Sequence, residues 1–234
     1  MKHPEYTKDN YPSMGKTYNG EKAIISLTSW KARINTVSKT LFSLIKMCPG
    51  FHIVLCLSEE EFPKMEKELP EDLMLFVDNK LIEILWVYKN YKSFKKVLFT
   101  MDKYRDVPVI SADDDCLYTC NYANELYIKL ISLNDNKAII RWTHRTIKPI
   151  GTQGPCTIYS PEKFLHFYEN ELKLLTKQLI HESKDDDLAE TTINKFNLHL
   201  YDLNKTSFPY KFHTSDGALH PEQKNMKCWK NCFI

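Results

Sequence analysis

Short apolar, β-branched runs alternate with stretches of helical period along this 234-residue chain, which calls for an α/β protein. The expected architecture is a mostly parallel sheet flanked by helices, in a single domain with an irregular C-terminal segment. Two further observations point the same way. The strand-like runs are apolar throughout rather than alternating with polar residues, as in strands covered on both faces. The composition (43% apolar, 26% charged, 12% aromatic) is that of a folded globular chain, and the length suits one large domain.

Residues 1–22 are polar and rich in Tyr, Lys and Asn, which suggests a loosely held arm. Ala23 to Thr28 reads as the first buried strand, ending at Ser29 and a polar loop. From Asn35 a helical period places Val37, Leu41, Leu44 and Ile45 on one face, until Cys48-Pro49-Gly50 stops it. Phe51 to Leu57 is a second strand. Ser58, with Glu61 three residues on, has the form of a capping box for a short helix. Leu81 to Trp86 gives a third strand, and Ser93 to Tyr104 a helix burying Val97, Leu98 and Met101. Val107 to Ala112 is a fourth strand that runs directly into Asp113-Asp114-Asp115. Asn121 can cap a helix that carries Leu126, Ile128, Leu130 and Ile131, and Lys137 to Trp142 is a fifth strand. Past Arg145 the rhythm changes. A Gly/Pro loop leads to a short strand at Cys156 to Tyr159, then to helices near 161–180 and 187–196 and a polar, aromatic tail.

The charge balance removes several function classes. With 32 basic and 30 acidic side chains the net charge is +2, so nucleic acid is not expected as the main partner. No apolar run is long enough to span a bilayer, and the first residues lack a signal-type apolar segment. The seven cysteines then read as reduced thiols of a cytoplasmic protein. Cys116/Cys120 and Cys228/Cys232 are spaced Cys-x3-Cys, which is not the usual zinc spacing.

Ligands of an open α/β sheet bind outside the carboxyl ends of its strands. Asp113-Asp114-Asp115 follows such an end, where three adjacent carboxylates repel one another and a divalent cation can hold them together. Oxygen ligands favour Mg²⁺ or Mn²⁺, and a diphosphate is a natural further ligand. A second acidic cluster, Asp185-Asp186-Asp187, opens the helix that ends near Phe196, a position the helix dipole alone would favour. Between them lies Gly151-Thr152-Gln153-Gly154-Pro155, whose small residues permit close backbone approach. Two cationic groups, Lys92/Lys95/Lys96 and Arg141/His144/Arg145, read either as solvated faces or as phosphate contacts.

Six segments, in order over residues 23–196, resemble small bacterial glycosyltransferases of the GT-A (Rossmann-like) fold, related to family 2. Ser26-Leu27-Thr28-Ser29-Trp30-Lys31-Ala32-Arg33-Ile34 is similar to that family's opening segment, and Leu55 to Phe62 to its second-strand segment. Tyr91 to Lys96, Ile110 to Tyr118 with its Asp-Asp-Asp-x-x-Tyr, Gly154 to Pro161, and Asp186-Asp187-Leu188 complete the set. Ala189 stands where the family carries Trp.

The resemblance implies sugar transfer from a nucleotide-sugar, a UDP-sugar foremost, to a glycan or lipid-linked acceptor with inversion, in polysaccharide biosynthesis. It implies Mn²⁺ or Mg²⁺ on Asp113 and Asp115, the DXD equivalent. It implies a nucleotide pocket of Thr28, Ser29, Arg33, Lys96, Asp113 and Asp114, and Asp187 with Asp186 as the catalytic base. Residues 23–145 would form the nucleotide-sugar half, 146–200 the acceptor and catalytic half, and 201–234 a tail from which His213 or His220 could add a metal ligand. Such acceptors leave room for peripheral membrane association. Two alternatives remain: a phosphatase-type metal-dependent hydrolase, and a nucleotide-binding module with the same scaffold and no catalysis. The first needs its Asp-x-Asp after the first strand and Thr or Val where this chain has Leu117.

Overall fold

The computed structural model describes residues 11–144, 155–160 and 198–213. In chain order the elements are β1 (Ser13–Gly15), β2 (Ile24–Thr28), α1 (Val37–Met47), β3 (His52–Ser58), α2 (Glu71–Asp78), β4 (Glu83–Val87) and α3 (Lys95–Lys103). They continue with β5 (Val109–Ser111), β6 (Cys116–Tyr118), α4 (Tyr122–Leu133), β7 (Ala138–Arg141), β8 (Thr157–Tyr159), β9 (His199–Asp202) and β10 (Tyr210–Phe212). Among the described residues one sheet has the order β1-β4-β3-β2-β5-β8-β7-β9, and β10 and β6 form a small second ladder. The pairs β2–β3, β3–β4, β2–β5 and β7–β9 are parallel, whereas β1 and β8 run antiparallel to their neighbours.

Burial on both faces explains the continuous apolar strands. Ile25, Leu27, Ile53, Leu55, Ile84 and Trp86 point to the face covered by Val37, Leu41 and Leu44 of α1, and by Leu126 of α4. The alternate residues Ile24, Val54, Cys56, Leu85 and Val87 pack with Phe99 of α3 on the other face. Ser26 falls on that second face, where its hydroxyl donates to the Lys96 carbonyl at 2.6 Å and meets Thr100 Oγ1 at 2.8 Å. A buried polar side chain thereby fixes the height of α3 over the sheet.

Several elements differ from the sequence expectation. The stretch read as a loose arm supplies an edge strand from its second half: β1 pairs with β4, and the buried Tyr11 donates to Asp102 at 2.6 Å. No helix starts at Ser58, because Phe62-Pro63 follows at once and proline disfavours helical backbone before it. The Ser58 hydroxyl instead accepts from the Glu60 N–H at 3.2 Å, and the helix α2 starts later, behind Pro70. Asn121 caps α4 as expected, accepting from the Asn124 N–H at 3.1 Å. Leu126 and Leu130 are buried with Tyr122, but Ile128 and Ile131 are exposed. The i, i+4 stripe from Tyr122 sets the inward face, and those two isoleucines lie off it.

Candidate active site

Strand order reverses at β2. The chain moves from β2 outward through β3 to β4, then returns to place β5 on the other side of β2. The carboxyl ends of β2 and β5 therefore flank the crevice in which open α/β sheets bind ligands. Thr28 and Ser29 close β2, and Asp113-Asp114-Asp115 forms the turn from β5 to β6.

The three aspartates are not equivalent. Asp114 turns inward, with its side chain 4% exposed. It accepts from the Ser29 hydroxyl at 2.6 Å and pairs with Arg33 at 3.1 Å. Burial pushes its carboxyl up to about 6, even though Arg33 and the Ser29 hydrogen bond pull it down. Asp113 and Asp115 keep 30% and 20% exposure at the crevice rim. Asp113 pairs through Oδ1 with Lys96 at 2.5 Å, and Asp115 pairs with Arg33 at 2.7 Å. Burial and the charge of Asp113 raise the Asp115 carboxyl, with Arg33 opposing. The buried Asp114 thus lies between two partly exposed carboxylates, each held by a cation.

The turn is tied down from several elements. The Thr40 hydroxyl on α1 donates to the Asp114 carbonyl at 2.8 Å. The Asp113 N–H donates to Tyr118 Oη at 2.9 Å, and Tyr118 stacks on Tyr122 with ring centroids 4.9 Å apart. The His213 N–H, just beyond β10, donates to the Asp115 carbonyl at 3.0 Å, while its Nε2 meets Thr40 Oγ1 at 3.0 Å. Burial lowers the His213 imidazole below its usual range. Thr40 carried no sequence signal, since a threonine within an amphipathic helix looks like any other polar position.

The structure brings Ser29, Arg33, Lys96 and the acidic triplet together. The Thr28 hydroxyl instead donates to the Cys56 carbonyl of β3 at 2.7 Å, at the crevice floor. Lys95 pairs with Glu61 at 2.8 Å, and Lys92 lies at the exposed start of the same segment. Arg141 pairs with Asp202 at 3.0 Å, and His144 stacks on Phe208. Asp185, Asp186, Asp187, the Gly151–Gly154 loop, Arg145, His220 and the Cys228/Cys232 pair lie outside the described residues.

Among the described residues no three His, Cys, Asp or Glu side chains converge as a ready-made metal cage. Two rim carboxylates suit Mg²⁺ or Mn²⁺ all the same, because such ions are bound by one or two carboxylates and take further ligands from substrate phosphates and water.

This arrangement defines an α/β protein of the GT-A type, with its acidic turn at the strand-order switch. No protein-family description and no curated protein matches the chain. Solved structures do. The chain superposes on the glycosyltransferase GlyE of Streptococcus pneumoniae with a TM-score of 0.52 and 13% identity, over 78% of this chain and 46% of that one. It therefore spans about half the length of that enzyme. The 4-diphosphocytidyl-2C-methyl-D-erythritol synthase of Anaerococcus prevotii matches at 0.52 and 15% identity, over 83% and 90% of the two chains. The 2-C-methyl-D-erythritol 4-phosphate cytidylyltransferase of Francisella tularensis matches at 0.52 and 11%, over 89% and 98%. These likenesses establish the GT-A/nucleotidyltransferase fold. No helix of the described residues is long and apolar enough to cross a membrane.

Proposed function

We propose that the chain is a metal-dependent glycosyltransferase that moves a sugar from a nucleotide-sugar, with a UDP-sugar the first donor to test, to a glycan or lipid-linked acceptor. The observation that carries this reading is the pair of rim carboxylates, Asp113 and Asp115, flanking a buried Asp114 at the strand-order switch. A divalent ion held there supplies neutralisation of the charge that builds on the leaving diphosphate. Arg33 and Lys96 place two further cations beside the same turn. In the proposed step the acceptor oxygen attacks the anomeric carbon, the bond to the diphosphate oxygen breaks, and configuration inverts. Asp187, with Asp186 beside it, takes the hydroxyl proton, a contribution of roughly 10²–10⁴ in rate for a well-placed base.

A panel of UDP-, GDP-, CMP- and dTDP-sugars, each with and without Mn²⁺, tests the donor half by thermal shift. One member should raise the melting temperature only when metal is also present, since a ligand of the native state stabilises by mass action. No shift with any member would refute it. Asp187→Asn should retain that shift and lose transfer; unchanged turnover removes Asp187 from the base role.

Nucleotidyl transfer is the second reading, favoured by the near-complete overlap with the two cytidylyltransferase-type chains. Against it, the loop Ser29-Trp30-Lys31-Ala32-Arg33 after β2 has no glycine to let a triphosphate approach the backbone. Pyrophosphate release from a nucleoside triphosphate plus a sugar phosphate would decide for it.

A further inference from the structure

We propose that Thr40 of α1 is the positioning residue of the acidic turn: its hydroxyl fixes the main chain from which Asp113 and Asp115 reach a divalent cation. This role rests on the reading of those two carboxylates as the cation's ligands, and deepens it by naming what holds them in place.

Thr40 is fully buried, on the side of α1 that meets the turn rather than solvent. Hydroxyls within helices commonly turn back to a carbonyl three or four residues earlier. Ser43 does so, donating to the Thr40 carbonyl at 2.7 Å. The Thr40 hydroxyl leaves its helix instead and donates to the Asp114 carbonyl at 2.8 Å. A hydroxyl has one proton to give. With that proton on Asp114, the 3.0 Å contact between Thr40 Oγ1 and His213 Nε2 has the imidazole N–H as its donor. One buried oxygen therefore joins three pieces of chain: α1, the turn from β5 to β6, and the residue that follows β10.

The neighbouring bonds show what this junction secures. The Asp113 N–H donates to Tyr118 Oη at 2.9 Å, the Tyr118 N–H donates to Ser43 Oγ at 3.0 Å, and the His213 N–H donates to the Asp115 carbonyl at 3.0 Å. Each of the three aspartates thus has a main-chain group held from another element, and α1 grips both the turn and the strand after it. Arg33 holds the carboxylates of Asp114 and Asp115, whereas Thr40 holds the backbone that carries them. Groups that orient metal ligands from behind are ordinarily worth about 10- to 100-fold in metal affinity.

Thr40→Val keeps the branching and size of the side chain and removes the hydroxyl. The test measures Mn²⁺ affinity of the full chain by electron paramagnetic resonance, and hydrogen exchange at the Asp113 and His213 amides without metal. Affinities are compared well below each variant's melting temperature, so that loss of folded protein does not enter. Thr40→Val should exchange faster at both amides and bind Mn²⁺ about 10- to 100-fold more weakly. Thr40→Ser restores the hydroxyl and should bind within about threefold of the wild type. If Thr40→Val melts too early to titrate, Thr40→Ala carries the same expectation. Wild-type affinity without the hydroxyl, or equal losses with and without it, would overturn the positioning role and leave the cation reading standing. Unchanged exchange at both amides would also overturn the role. Absence of Mn²⁺ binding by the wild type, with or without UDP, GDP or CDP, would overturn the cation reading, and the positioning role with it.

Discussion

Asp114 spends its carboxylate inside the protein, on Ser29 and Arg33, while its two neighbours face the crevice. The triplet is therefore two kinds of residue: a buried structural tether between two partly exposed carboxylates. Removing the tether should be a folding defect rather than a binding one. Asp114→Ala leaves the Ser29 hydroxyl and part of the Arg33 guanidinium buried without their acceptor, and breaking a buried pair from one side costs roughly 3–5 kcal/mol. With Asp115 retaining Arg33, the expected loss is about 2–4 kcal/mol, read as a lower midpoint in urea at unchanged slope. Asp113→Asn keeps an acceptor for Lys96 and should stay near wild-type stability, within roughly 1 kcal/mol, while losing metal-dependent nucleotide binding. The sequence placed the triplet at a strand end but treated Asp114 as a nucleotide contact. Which of three identical side chains turns inward depends on Ser29 and Arg33 from a different strand end, which local pattern does not contain.

At the scale of elements, legibility followed burial on two faces. The strands β2, β3 and β4 are buried along nearly their whole length, so their residues are apolar and their positions could be read directly. The strands β1, β9 and β10 are exposed or half-buried, three or four residues long, and exist because a neighbouring edge offers them hydrogen bonds. Nothing in their own composition requires extension. Gly15 is the informative residue in β1. Its φ is +95°, and a Cβ there would lie 2.3 Å from the Ile82 carbonyl oxygen. Gly15→Ala should therefore cost about 1–3 kcal/mol through backbone strain and displacement of that carbonyl. Faster hydrogen exchange at Trp86, whose N–H donates to the Pro12 carbonyl, would show that β1 itself has loosened. Unchanged exchange and stability would mean that β1 is not held by this approach.

At the scale of the whole sheet, Glu83 at the amino end of β4 and Asp113 past the carboxyl end of β5 lie at opposite ends of the strands, and α3 connects them. Its first turn sends Lys96 to Asp113 at the crevice, and its last sends Lys103 and the following Tyr104 to Glu83 at the amino end of β4. Glu83 is 2% exposed and also meets His52 Nε2 at 2.6 Å. Burial alone would raise its carboxyl, but the His52 hydrogen bond together with the charge and hydrogen bonds of Lys103 and Tyr104 outweigh burial and hold it below the ordinary range. A carboxyl that is a stronger acid in the folded state binds fewer protons there than in the unfolded chain. Its stabilisation is therefore complete above the unfolded carboxylate value, near 4.3, and disappears as pH falls through the lower folded value. Comparing urea stability of the wild type and Glu83→Gln from pH 7 downward checks this. The wild type's advantage should be constant from pH 7 to about 5 and shrink steadily below pH 4.3. An advantage independent of pH would mean that Glu83 stabilises through packing rather than charge. The difference between the two ends is one of exposure: Glu83 is enclosed by its partners and anchors the scaffold, whereas Asp113 keeps 30% of its side chain exposed beside Lys96.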